Sequence, residues 1–183
     1  MPFVVKKNKN MSLIIVDVEA DGPIPHKYSM VSFGAIVVEP SLGKTFYGKT
    51  KPVSENWMPE ALTVSGISRE EHLTYPDPES VMSEFSSWIK LNSKGRPVFL
   101  SDNLAFDWQW INYYFHCYIG ENPFGFSGRR IGDLYSGMMK DIFKGSDWKQ
   151  FRKTAHTHNP VDDAKGNAEA MLKMRDLGLK FSY

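Results

Sequence analysis

The sequence predicts an α/β fold: a mixed five-stranded sheet, its second strand antiparallel, with helices on both faces. Three observations lead there. The run Leu13-Ile14-Ile15-Val16 reads as a buried strand. Two further apolar segments follow across short, turn-rich links, which suggests an antiparallel meander. Beyond them, strand and helix patterns alternate.

Strand one covers about residues 12 to 18. After the Gly22-Pro23-Ile24-Pro25 loop, Met30 to Val38 reads as strand two, and Pro40, Ser41 and Gly43 turn the chain into a third strand near Lys44 to Lys51. Met58 to Val64 is expected as a short helix closed by Gly66. Pro76 and Pro78 bracket the entry to a helix over Pro78 to Leu91, which carries Val81, Phe85, Trp88 and Ile89 at helical spacing. Pro97-Val98-Phe99-Leu100 is a second buried strand, followed by a helix over about Ala105 to Tyr118. A glycine-rich stretch, Gly120 to Gly128, precedes a short Arg130-Ile131-Gly132 strand and a helix beginning near Asp133. The last helix follows His158-Asn159-Pro160 and runs to about Leu177. There are no repeats, low-complexity tracts or obvious linkers.

At 183 residues the chain suits one domain over residues 11–183, preceded by a flexible extension over residues 1–10. A net charge of +1 argues against a surface that coats polyanions, yet permits a local basic rim around one strand end. Cys117 is the only cysteine, so no internal disulfide forms, and its aromatic-rich helix predicts a small buried thiol. Leu13 to Val16 is too short for a signal peptide's apolar region or a membrane span. The chain therefore reads as cytoplasmic, with no membrane partner.

Asp17 and Glu19 close the first strand, and residues two apart on a strand face the same side. Two anions beside a core repel and lose hydration, so one takes up a proton or a cation binds. All-oxygen donors suit hard divalent ions such as Mg2+ or Mn2+. On its own the triplet admits a second reading, in which Glu19 and Asp21 are solvated loop acids.

Asp107 falls in the first turn of the helix after strand four, at the sheet edge where ligands of open α/β folds bind. A carboxylate there also simply suits the helix dipole. In the last helix Pro160 fits the first position and Asn159 the cap, which places Asp162 where a capping-box acid sits. Asp163 points about 100° further round and is the candidate ligand. His158 lies in the loop just before. His26, His72, His116 and His156 read as surface or cap residues.

Taken in order, Val16-Asp17-Val18-Glu19, Asn103-Leu104-Ala105-Phe106-Asp107 and His158-Asn159-Pro160-Val161-Asp162-Asp163-Ala164 resemble the three motifs of the DEDDh family of 3'-5' exonucleases, whose fold is ribonuclease H-like. Pro59 to Ser68, with its Gly66-Ile67 pair, is similar to the family's segment after strand three. The resemblance implies hydrolysis of single-stranded RNA or DNA from the 3' end, releasing nucleoside 5'-monophosphates. It implies two Mg2+ or Mn2+ ions, about 4 Å apart in such sites, with Asp17 bridging them and Glu19, Asp107 and Asp163 completing their shells. His158 would be the general base, a task suited to a side chain that titrates near neutrality. Stand-alone members are often homodimers.

The same likeness assigns Val18, Ala20, Met58, Leu62, Asn103, Phe106 and Trp108 to substrate binding, with Met58 and Leu62 as an apolar wall for the terminal base. Aromatic stacking contributes roughly 1 to 3 kcal/mol per base in single-strand binders, although most of the aromatics from Phe106 to Tyr118 are needed to pack their helix. Arg129, Arg130, Lys149, Arg152 and Lys153 are positive groups that could track phosphates, or an ordinary charged loop. This chain departs from the family in Ala20-Asp21-Gly22, where relatives often carry threonine, in Ser32 for a common glutamate, in Asp102, and in Pro160. The competing readings are a catalytically weak nucleic-acid-binding or partner-binding module on the same fold, and a duplex endonuclease, against which the spacing from His158 to Asp163 argues.

Overall fold

β1 (Met11–Ala20) lies at the centre of a five-stranded sheet of order β3-β2-β1-β4-β5 in the computed structural model, which describes residues 11–183. The extension expected over residues 1–10 lies outside the described residues. β2 (Met30–Val37) runs antiparallel to both β1 and β3 (Thr45–Lys49), whereas β4 (Arg96–Ser101) and β5 (Gly128–Arg130) add in parallel. The meander is as expected, because short loops leave consecutive strands no room for a crossover.

The period-two pattern of β1 divides the core. Ile14, Val16, Val18 and Ala20 pack toward α3 (Pro78–Asn92) and α4 (Leu104–Tyr118), while Leu13 and Ile15 face α5 (Ile131–Met139) and α6 (Pro160–Asp176). Asp17 and Glu19 therefore project from the α6 face. Pairing of β1 with β4 ends at Ile15 and Leu100, and β1 runs on to Ala20 with that edge open.

α1 (Pro59–Ser65) ends as expected on Gly66, whose φ of 69° is the left-handed conformation that lets the chain leave the helix. α2 (Arg69–Leu73) escaped the sequence reading, although Ser68 and Glu71 spell its capping signature and Ser68 does accept the Glu71 N–H. Two 3-10 turns, Ile142–Lys144 and Asp147–Phe151, were also missed. The expected Arg130-Ile131-Gly132 strand is displaced: pairing stops at Arg130, and Ile131 and Gly132 open α5, where Ile131 is buried. Cys117 is exposed rather than buried, because Ile111, Tyr114 and Phe115 form the inward face of α4 and position 117 turns away from it. No helix among the described residues is long and apolar enough to cross a membrane.

Candidate active site

The open edge of β1 is closed by α4. Val18 donates its backbone N–H to Asp107 Oδ1 at 3.1 Å, so the first turn of α4 satisfies a strand group that β4 leaves unpaired. Asp107 is buried, and its Oδ2 has no hydrogen-bond partner among the described residues. On the other face α6 brings Asp163 to the same strand end: carboxylate oxygens of Asp17, Glu19 and Asp163 all lie within 4.8 Å of one another.

So much negative charge out of water shifts proton affinities. Burial, then repulsion from Asp107, Glu19 and Asp163, raises Asp17 well above the usual carboxylate range, and Arg152 partly offsets this. Burial, then Asp163, raises Glu19 to about 7. Asp107 is raised chiefly by burial, against the hydrogen bond from the Val18 N–H, with Asp102 and Glu19 adding to the rise. The negative charge that Asp102 adds near the second motif is thus felt, though Lys149 pairs with it at 2.6 Å.

Asp163 is buried and heavily bonded. Its Oδ1 lies 3.0 Å from the Arg152 guanidinium and 2.9 Å from His156 Nδ1, and accepts the Thr157 N–H at 3.1 Å, while Oδ2 accepts the His158 N–H at 2.9 Å. Asn159 caps α6 by accepting from Val161 and Asp162. The capping box expected of Asp162 is not closed, since the Asn159 N–H goes to Thr157 Oγ1 at 3.3 Å. His158 Nδ1 stands 3.7 Å from Glu19 Oε1, and a φ of 60° turns its loop toward the carboxylates.

The other candidates divide. Val18 and Ala20 are buried in the core behind the acids, so their backbone alone faces the strand end. Met58 is exposed and its N–H is tied to the Asp21 carbonyl at 2.8 Å, while Leu62 is buried. Asn103 is exposed, and its amide makes no capping bond to α4. Phe106 and Trp108 are partly buried, their rings packed on Trp110 and Phe99 at centroid distances of 6.1 and 5.1 Å.

Sequence reasoning missed the surroundings of four groups. Asp21, open to a loop reading, is buried and paired with Arg69 at 2.9 Å. His72, read as a surface residue, is buried beside that pair, and burial, then Arg69, pushes it down to about 4. His156, read the same way, sits on Asp163. Arg152 is also no solvated loop cation, but a nearly buried partner of Asp163. The His156-Thr157-His158 spacing was the available signal for His156.

The arrangement fits divalent cations: carboxylate oxygens from β1 and α6 converge, Arg152 offsets their repulsion only in part, and Asp107, outside that cluster, keeps one buried oxygen unpartnered among the described residues.

A family model described as the 3'-5' exoribonuclease Rv2179c-like domain matches residues 12–174. The 3'-5' DNA exonuclease Cap18 of Escherichia coli is 40% identical over 165 residues, covering 85% of this chain and 87% of Cap18. The nuclease domain of 3'hExo, a DEDDh family member solved bound to rAMP, superposes with a TM-score of 0.75 at 16% identity, over 97% of this chain and 99% of that one. E. coli exonuclease I in complex with a dT13 oligonucleotide gives a TM-score of 0.67 at 15% identity, over 90% of this chain and 41% of that one. The two structural likenesses establish a ribonuclease H-like fold.

Proposed function

Because the chain belongs to the 3'-5' exoribonuclease Rv2179c-like family, we propose that it is a metal-dependent exonuclease that removes nucleoside 5'-monophosphates from the 3' ends of single-stranded RNA or DNA. The observation that carries this reading is the convergence of Asp17, Glu19 and Asp163 within 4.8 Å, closed from the far edge by Asp107.

Asp17, Glu19, Asp107 and Asp163 would hold two Mg2+ or Mn2+ ions, which when bound stabilise charge on the attacking, phosphoryl and leaving oxygens. The chain's own residues supply the rest. The His158 ring, beside Glu19, takes a proton from the attacking water as its oxygen bonds to phosphorus. The bond from phosphorus to the 3' oxygen breaks, and that oxygen takes a proton from solvent. Met58 offers apolar surface, and Asn103 an exposed amide, to the terminal nucleotide.

The family model is described by RNA and the Cap18 relative by DNA, so the test uses both sugars. Linear 5'-labelled oligoribonucleotides and oligodeoxyribonucleotides, with Mg2+ or Mn2+, should shorten stepwise and stop on addition of chelator. Binding without hydrolysis of either would favour the binding module, and cleavage of a circular single strand would favour an endonuclease.

A further inference from the structure

We propose that His156, His158 and Asp163 form a second, nitrogen-containing cation site that takes Zn2+ and thereby withdraws the base and one carboxylate from hydrolysis. Ligand atoms of these three side chains lie within 4.8 Å of one another. His156 Nδ1 is 2.9 Å from Asp163 Oδ1, and the two imidazole centroids are 4.4 Å apart at 64°.

The loop is organised for this. Asp163 accepts the backbone N–H groups of both Thr157 and His158, and His158 itself is left-handed, φ 60°. Asp163 is in turn oriented by Arg152 at 3.0 Å, an outer contact of the kind that fixes ligand geometry. The Arg152 charge is offset by Asp17 and Glu19, which converge on the same carboxylate. Both rings are open to solvent, and His156 lies on a cleft of about 380 Å³ that also includes Lys149, Lys153 and Thr154, so an ion has a way in.

The donor set selects the ion. Two imidazoles and a carboxylate are a common zinc set with a fourth position free, whereas Mg2+ prefers oxygen and keeps its water. Bonds of about 2.0 Å place tetrahedral donors about 3.3 Å apart, which the two exposed rings reach by rotating inward. His158 and Asp163 then serve zinc or hydrolysis, but not both. The inhibitory consequence rests on the exonuclease reading, whereas the binding does not.

The test has two arms on the full chain. Chelator-stripped protein is titrated with Co2+ as an optical stand-in for Zn2+: the wild type should give the strong visible bands of a four-coordinate nitrogen-containing site. His156→Ala should lose them, as should His156→Asn, which keeps a hydrogen-bond donor near Asp163. In the second arm, Zn2+ inhibition of Mg2+-supported hydrolysis is measured relative to each protein's own zinc-free rate. The half-inhibiting Zn2+ concentration should rise about tenfold or more in both variants, and in the wild type chelator added in slight excess over zinc should relieve inhibition. Unchanged spectra and unchanged inhibition in the variants would overturn the proposal, placing the ion among the four carboxylates instead. A wild type that shows the His156-dependent spectrum yet hydrolyses no oligonucleotide would uphold the site and overturn the exonuclease reading.

Discussion

Gly34 and Pro160 meet where no side chain would fit: a Cβ on Gly34 would lie 2.3 Å from both the carbonyl carbon and the carbonyl oxygen of Pro160. Gly34 is also the cross-strand partner of Asp17. The bare backbone at residue 34 therefore sets how near the first turn of α6, and with it Asp163, comes to the strand that carries Asp17. Gly34→Ala is expected to cost about 1 to 3 kcal/mol from overpacking. Because a small misplacement of reacting groups is expensive, turnover should fall about 100-fold. Denaturant unfolding and single-turnover hydrolysis check the two effects separately.

The raised carboxylates make metal-free stability depend on pH. Glu19 titrates near 7 in the folded chain against 4.5 ordinarily, so the folded state holds the extra proton between those values. The resulting stabilisation is full below 4.5 and is lost as pH rises through 7, a swing on the order of 3 kcal/mol. Asp17 and Asp107, raised by burial, act in the same direction. Melting of chelator-stripped protein should therefore drop between about pH 5 and about pH 8, and Mg2+ should restore more stability at the upper end. Calorimetry across that range with and without Mg2+ checks both signs.

His158→Ala should separate binding from chemistry. The ring stands beside Glu19 but is not among the carboxylates assigned to the ions, so the rise in melting temperature on adding Mn2+ should persist. Turnover should fall about 100- to 10,000-fold, the usual worth of a positioned general base. Paired thermal-shift and hydrolysis measurements would expose a wrong assignment through normal turnover in the variant.

Asp21 and Arg69 should position the substrate wall. Their buried ion pair, the Arg69 bond to the Ser54 carbonyl and the Arg69 cation over Trp57 at 5.8 Å pin the segment leading to Met58 onto the end of β1. His72 lies 3.8 Å from Asp21, but burial holds it neutral, so Arg69 is the operative counter-charge. Arg69→Met should cost about 3 to 5 kcal/mol by stranding a buried carboxylate. For hydrolysis, KM should rise more than kcat falls, and Asp21→Asn made in the same chain should recover part of the stability.

Much of this was legible because it follows from short-range periodicity. The shared face of Asp17 and Glu19 comes from strand alternation, and the separation of Asp163 from Asp162 comes from the Asn159-Pro160 start of α6. The places of Arg152, His156 and Asp21 were not legible, because each depends on a tertiary partner. Arg152 lies along α6 where Gly166 leaves room, since a Cβ there would come within 2.6 Å of its guanidinium. His156 reaches Asp163 through a turn that needs a positive φ at His158, a conformation its residue type does not announce. Asp21 is buried through Arg69, which belongs to the unforeseen α2.

On the proposed function, Asp17 is held among repelling carboxylates for the sake of a bound cation. Mn2+ titration of chelator-stripped wild type and Asp17→Asn, followed by calorimetry at about pH 8, well above the ordinary carboxylate range, tests that role. The variant should melt higher than the wild type without metal, because a buried repulsion is gone, and should lose both the Mn2+-induced rise and hydrolysis. A variant that melts lower without metal and still gains stability from Mn2+ as the wild type does would mean that Asp17 holds no ion.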